Sequence, residues 1–233
     1  MKIELWSDYA CPYCYIGEAR LWKVLNERKD GDKIAVEYKS FELDPSASRE
    51  VVSSTAERFA RKYGMSRKSA EKKIEDISGM GRAEGLDFKY ISTRYTNTFD
   101  SLRLAKFAAE KGHPEMNRVL FDAYFTRNLE LADHEVLVGL AVEVGMDAKE
   151  TRDFLRSDKY AMEVRADEDE AMRLGVHGVP YFLINGKYAV PGAVPTDILR
   201  STLEKFLEEE KDAGQPIDLM AGAACGPDGC HFE

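Results

Sequence analysis

Long apolar runs are missing from this chain. No stretch reaches the roughly 18 residues that a bilayer span requires, and the start MKIELWSDYA lacks the basic segment, apolar stretch and small-residue cleavage site of a secretory signal. A membrane is therefore not an expected partner, and the expected location is the cytoplasm. Positive charge is in deficit as well: 33 Lys plus Arg against 42 Asp plus Glu leave a net charge of −9, which repels a polyanionic backbone and sets nucleic acid aside. Cysteine is scarce, four in 233 residues, too few for a disulfide framework. What remains is 44% hydrophobic and 32% charged, a globular composition, in a chain long enough to bury its own core as one large domain or two small ones.

Residues 2–7, KIELWS, alternate polar and apolar as a short strand does, and the CPYC of Cys11 and Cys14 follows at once. From Tyr15 to Arg28, the residues Ile16, Leu21, Val24 and Leu25 recur at helical spacing until Asp30 and Gly31 close the segment. Residues 33–41, KIAVEYKSF, alternate again, and Asp44 and Pro45 break the pattern. Strand, helix, strand predicts a βαβ opening with the dithiol at a strand-to-helix junction. Between about Val51 and Leu174 the sequence reads as helix, with stripes such as Phe99, Leu102, Phe107 and Ala108, and with Asp133 and Asp147 as caps. Inside that block, residues 49–94 hold 11 Lys plus Arg against 7 Asp plus Glu, which reads as a solvated helical face and not as a binding site. Residues 181–184, YFLI, return to strand character. Asn185 and Gly186 suit the positive φ angles of a two-residue hairpin, and residues 187–190 form the returning strand. Ile198, Leu199, Leu203, Phe206 and Leu207 predict a last amphipathic helix, and beyond Gly214 the small, glycine-rich composition predicts little regular structure.

A dithiol with two intervening residues can close a small disulfide where the backbone turns into a helix. Unpaired N–H groups and the positive end of the macrodipole at that point favour an anionic sulfur, which makes Cys11 the expected nucleophile. Cys14, one turn inside the helix, is placed to attack a mixed disulfide at Cys11 and release the other thiol. Pro12 fixes φ for the first turn and removes a donor that would be unpaired anyway. The competing reading of CxxC is a zinc half-site, but no other Cys or His lies near Cys11 in sequence to complete it.

CPYCYIG at 11–17 and GVPYFLINGKYAVPGA at 178–193, with helices between them, resemble the DsbA-like branch of the thioredoxin superfamily, closest to its FrnE-type disulfide oxidoreductases. The resemblance covers the whole chain, including a CGPDGC tail. It implies an α/β thioredoxin-like fold with a large all-helical insertion and a flexible, cysteine-containing C-terminal tail. In that layout residues 1–44 and 175–212 form a discontinuous thioredoxin-like domain, residues 45–174 the insertion, with its last helix placed to pack on the sheet, and residues 213–233 the tail. The resemblance further implies thiol-disulfide oxidoreductase or isomerase activity on disulfide-containing or thiol proteins. Pro180 is then the cis-proline facing the CPYC, and Val179, Pro12, Tyr13 and Asn97 are substrate-binding residues. A proline at a strand start also leaves an edge that an extended polypeptide can join. No cofactor and no metal are expected, and glutathione stands as a candidate redox partner.

Alternatives stay open at this point. The same branch includes 2-hydroxychromene-2-carboxylate isomerases and kappa-class glutathione transferases, which carry a serine or a single cysteine where this chain has Cys11; the intact dithiol favours thiol-disulfide exchange. Asn97 and Thr98 equally suit the start of a helix. Cys225 and Cys230 flank a Gly-Pro-Asp-Gly turn and read first as a second redox pair, with a metal site using His231, a redox sensor or a scavenging tail as rivals. His177 lies near enough to Val179 in sequence to approach the cleft; His113 and His134 read as surface residues. Trp6 and Tyr9 flank the dithiol, and Trp6 is first a core candidate.

Overall fold

In the computed structural model of the chain, which describes the backbone of residues 1–212, 224–226 and 229–231, the two alternating segments become β1 (Lys2–Ser7) and β2 (Ala35–Ser40). They pair in parallel from Lys2 opposite Ala35 to Ser7 opposite Ser40. The chain crosses between them through α1 (Pro12–Glu27). The later hairpin, β3 (Tyr181–Ile184) and β4 (Tyr188–Pro191), joins antiparallel to β1, giving the order β2-β1-β3-β4. Asn185 and Gly186 take φ of 51° and 65°, as a tight hairpin needs.

One face of this sheet is covered by α1 and by α9 (Thr196–Asp212). Ile3 and Leu5 of β1 meet Leu21, Val24, Leu199, Leu203 and Phe206 there, and Tyr188 stacks on Phe206 with ring centroids 3.9 Å apart. Seven helices lie between β2 and β3: α2 (Thr55–Tyr63), α3 (Arg67–Ala83), α4 (Phe99–Glu110), α5 (Met116–Phe125), α6 (His134–Glu143), α7 (Ala148–Leu155) and α8 (Ala161–Arg173). Their starts follow local chemistry. Ser54 and Glu57 close a capping box on α2, and the Asp133 and Asp147 carboxylates accept N–H groups of α6 and α7.

The helices close the opposite face. α8 lies on β2, where the Asp167 carboxylate accepts the Ser40 N–H (2.8 Å) and the Asp167 carbonyl accepts the Trp6 indole N–H (2.9 Å). Tyr15 of α1 stacks between Phe88, Phe121 and Phe125, so the first helix is packed on the helical block as firmly as on the sheet. Among the described residues no helix is long and apolar enough to cross a membrane.

Two expectations are corrected. The tail does contain regular structure: β5 (Ala224–Gly226) and β6 (Gly229–His231) form an antiparallel hairpin with Cys225 opposite Cys230. Residue types that favour a turn lie between the cysteines, while composition alone hid the strands. Second, β3 is not an edge, because β1 and β4 flank it. The backbone ahead of Pro180 is met by this hairpin: a Cβ added to Gly226 would lie 2.3 Å from the His177 carbonyl oxygen.

Candidate active site

Asp8 builds the turn that hands the chain from β1 to α1. Its carboxylate accepts the N–H groups of Ala10 (3.0 Å) and Leu43 (2.8 Å), and its carbonyl accepts that of Cys11 (3.0 Å). Burial holds the Asp8 carboxyl above its ordinary range, against those donors and the Thr98 hydroxyl. Cys11 then caps α1 in extended conformation (φ −86°, ψ 116°), and its carbonyl receives the N–H groups of Cys14 (3.2 Å) and Tyr15 (3.4 Å). Pro12 is the first helical residue, where its missing donor costs nothing.

Both thiols are free and wholly buried. The Cys11 sulfur stands 3.5 Å from the Val179 carbonyl oxygen, and the Val179–Pro180 peptide is cis. Pro180 is drawn in by Gly17. A Cβ at residue 17 would sit 3.0 Å from Pro180 Cγ and 3.4 Å from Phe182 Cζ, so a larger residue would hold α1 off the proline. Arg20 fixes the same approach from one turn further along. Its guanidinium donates to the carbonyls of Ala193 (2.8 Å) and Val194 (3.1 Å) and pairs with Glu84 of the helical block (2.7 Å).

Cys14 has its thiol pushed well above the ordinary range, by burial first and then by the adjacent Cys11 sulfur, with the Asp8 N–H and the Ser7 hydroxyl acting weakly the other way. Burial thus favours the protonated form of Cys14, one helical turn from the Cys11 sulfur. The pair can perform reversible two-electron dithiol–disulfide chemistry. Tyr13 is buried beside the pair, while Pro12 lines a narrow space with Ala10, Arg58 and Lys62.

Other expected residues fall elsewhere. Asn97 caps α4 through the Phe99 N–H (2.9 Å) and bonds Glu42 (3.2 Å), so its side chain is engaged away from the sulfurs; its neighbour Thr98 reaches the site indirectly, through Asp8. His177 is exposed, and its backbone is what meets the tail hairpin. Trp6 is core and packs edge-on against Tyr181, while Tyr9 donates to Asn117 (2.6 Å). The side chains of Cys225, Cys230 and His231 lie outside the described residues; the described ones contain no group of three or more potential metal ligands. Sequence reasoning passed over Asp8 and Arg20. An aspartate three residues before the first cysteine, and an arginine amid apolar helix positions, were the available signals.

Comparison with known proteins agrees with this geometry. The profile of the DSBA-like thioredoxin domain matches residues 2–204. The crystal structure of a probable DsbA oxidoreductase from Streptomyces coelicolor superposes with a TM-score of 0.84 at 37% identity, covering 100% of this chain and 99% of that one. The uncharacterized protein YwbO of Bacillus subtilis is 28% identical over 91% of this chain and 98% of its own. At 15% identity the fold alone is shared with the cytosolic disulfide reductase DsbM of Pseudomonas aeruginosa (TM-score 0.59, 92% and 100% covered) and with a 2-hydroxychromene-2-carboxylate isomerase (TM-score 0.69, 92% and 100% covered). A buried CPYC at the start of the crossover helix, a cis-proline beside it, and a profile spanning almost the whole folded chain place this protein in the DsbA-like thioredoxin family of thiol-disulfide oxidoreductases.

Proposed function

We propose that this chain is a cytoplasmic thiol-disulfide oxidoreductase with isomerase capacity, in which Cys11 is the nucleophile, Cys14 the resolving thiol and Cys225 with Cys230 a second redox pair. The observation that carries the reading is the placement of Cys11 at the N-cap of α1, in contact with the Val179 carbonyl and with buried Cys14 one turn behind. In the reducing direction the Cys11 thiolate attacks one sulfur of a substrate disulfide. That S–S bond breaks, a Cys11 mixed disulfide forms, and the first substrate thiolate leaves. Cys14 loses its proton and attacks the Cys11 sulfur, closing the Cys11–Cys14 disulfide and releasing the second thiolate, which takes up a proton. Two electrons pass from the dithiol to the substrate. An external thiol such as glutathione, or the tail dithiol, returns them.

The tail hairpin supports the second pair. Its Gly226, next to Cys225, abuts the His177 carbonyl, two residues before Val179, and the Gly226 carbonyl accepts the Lys62 ammonium (3.3 Å).

The test is a redox titration of wild type, Cys11→Ser, Cys14→Ala and Gly226→Ala by mass tagging of thiols, with insulin reduction as the activity. Cys11→Ser should abolish activity, and Cys14→Ala should accumulate mixed disulfide. Gly226→Ala, whose methyl cannot fit against His177, should uncouple oxidation of the two pairs. Turnover that survives Cys14→Ala together with saturable glutathione binding would instead favour a glutathione-dependent isomerase or transferase.

A further inference from the structure

Most of the basic run is a solvated face, but part of it on α2 lines a cavity. Arg58, Arg61 and Lys62 recur on α2 at positions i, i+3 and i+4, which stacks them on one side of the helix. That side lines an open cavity of about 430 Å³, whose wall also includes Ser46, Ser53 and Tyr95. Arg58, Lys62 and Tyr95 continue into the adjoining narrow space whose far wall is Ala10 and Pro12, the residues on either side of Cys11. The two spaces together run from the cations of α2 to the residues that flank Cys11.

The three cations have neutral partners. The Arg58 guanidinium lies 3.9 Å from the centroid of the Tyr95 ring, and its Nε, shut off from solvent, meets no acceptor among the described residues. Arg61 donates to the Ser53 hydroxyl (3.3 Å) and Lys62 to the Gly226 carbonyl (3.3 Å). Asp44 is the carboxylate in the cavity wall, and it is engaged by the N–H (3.1 Å) and hydroxyl (2.6 Å) of Ser46. Burial and then Arg58 hold the Lys62 ammonium below its ordinary range, with Asp44 and Cys11 opposing, so the group gains from an incoming anion. A buried guanidinium N–H without an acceptor is costly unless something supplies one.

We infer that Arg58, Arg61 and Lys62 form a carboxylate subsite that seats one arm of a low-molecular-weight acidic disulfide while its sulfur faces Cys11. The inference rests on the exchange chemistry proposed above and names its substrate class. A small substrate is favoured because the cavity beside α2 has the volume of a small-molecule site.

The probes are 3,3′-dithiodipropionate, which carries a carboxylate on each arm, and neutral bis(2-hydroxyethyl) disulfide, each mixed with reduced protein in a single turnover. The readout is the ratio of their rates, divided by the same ratio for free dithiothreitol. Wild type should exceed dithiothreitol by about tenfold, the value of roughly one partly desolvated charge contact. Arg58→Gln and Arg61→Gln should each lower the ratio, and the double variant should bring it to the dithiothreitol value, while Arg58→Lys should restore most of it. A ratio equal to that of dithiothreitol in wild type, or one that the variants leave unmoved, overturns the subsite. Should Arg58→Gln fail to fold, exposed Arg61→Gln and a rise in salt from about 0.05 to about 0.5 M on wild type give the same reading, because screening must compress the ratio. An acidic peptide disulfide that depends on Arg58 when dithiodipropionate does not overturns the small-molecule assignment. Failure of the neutral probe to react at all strikes the exchange reading; reaction without charge preference strikes only the subsite.

Discussion

The two faces of the sheet are built on different principles. The face under α1 and α9 is filled mainly by aliphatic and aromatic side chains, Ile3, Leu5, Leu203, Phe206 and their neighbours, with one polar chain at its margin, from the Trp22 indole to the Tyr38 hydroxyl to Glu18. The face toward the helical block is apolar too, but polar ties run through it: Trp6 to Asp167, Asp8 to Ala10 and Leu43, Tyr9 to Asn117, Arg20 to Glu84. The dithiol belongs to this second core, packed with Tyr9, Tyr15 and Phe121. One face sets whether the chain folds; the other sets where two sulfurs stand. Directional contacts are what a reacting site needs, since apolar packing has no preferred orientation to impose.

The comparison breaks most easily on the α9 side. Phe206→Ala removes a fully buried ring stacked on Tyr188 and should cost about 3–5 kcal/mol in denaturant unfolding while leaving the activity per folded molecule intact. Loss of activity out of proportion to unfolding would mean the two faces are not separable. Next in size, Arg20→Met strands Glu84 and two carbonyls where α1, the β4–α9 connection and the helical block meet, at about 2–3 kcal/mol. Unlike Phe206→Ala it should also slow reaction at Cys11, read by alkylation kinetics under native conditions.

Gly17→Ala puts a methyl 3.0 Å from Pro180 Cγ and should destabilise by about 1–3 kcal/mol with a measurable change in Cys11 alkylation; no change in either would show that the α1–Pro180 approach is slack. The smallest effect concerns pH. Because the folded Asp8 carboxyl lies above its unfolded value, the folded chain takes up a proton where the unfolded chain has not. Its contribution to stability therefore rises as pH falls through the folded pKa and levels off below about 4. The stability of wild type minus that of Asp8→Asn should grow as pH is lowered from about 7 to about 4. A flat difference would mean that Asp8 is not the strained acid of the site.

Much of the fold was legible because its signals are local. The alternation in KIELWS, the Asn185–Gly186 turn and the Asp133 and Asp147 caps each act within a few residues, and each element formed where the pattern put it. Asn97 carried two readings, because a residue type suited to a cleft is equally suited to a helix start, and its side chain accepts the Phe99 N–H at the start of α4. The tail misled. Its strands are three residues each, shorter than any periodicity can reveal, and their place against His177 is a long-range contact.

By itself the sequence determined that a pair of sulfurs would stand at the start of a helix following a strand, because strand, turn and helix propensities are all properties of neighbouring residues. Only the tertiary structure decided what surrounds that pair. Asp8 bonding Leu43, Gly17 admitting Pro180, and Arg58 and Lys62 of a basic helix sharing a space with Pro12 all depend on segments tens to hundreds of residues apart being brought together. Those encounters follow from how whole faces pack, and no local pattern encodes them.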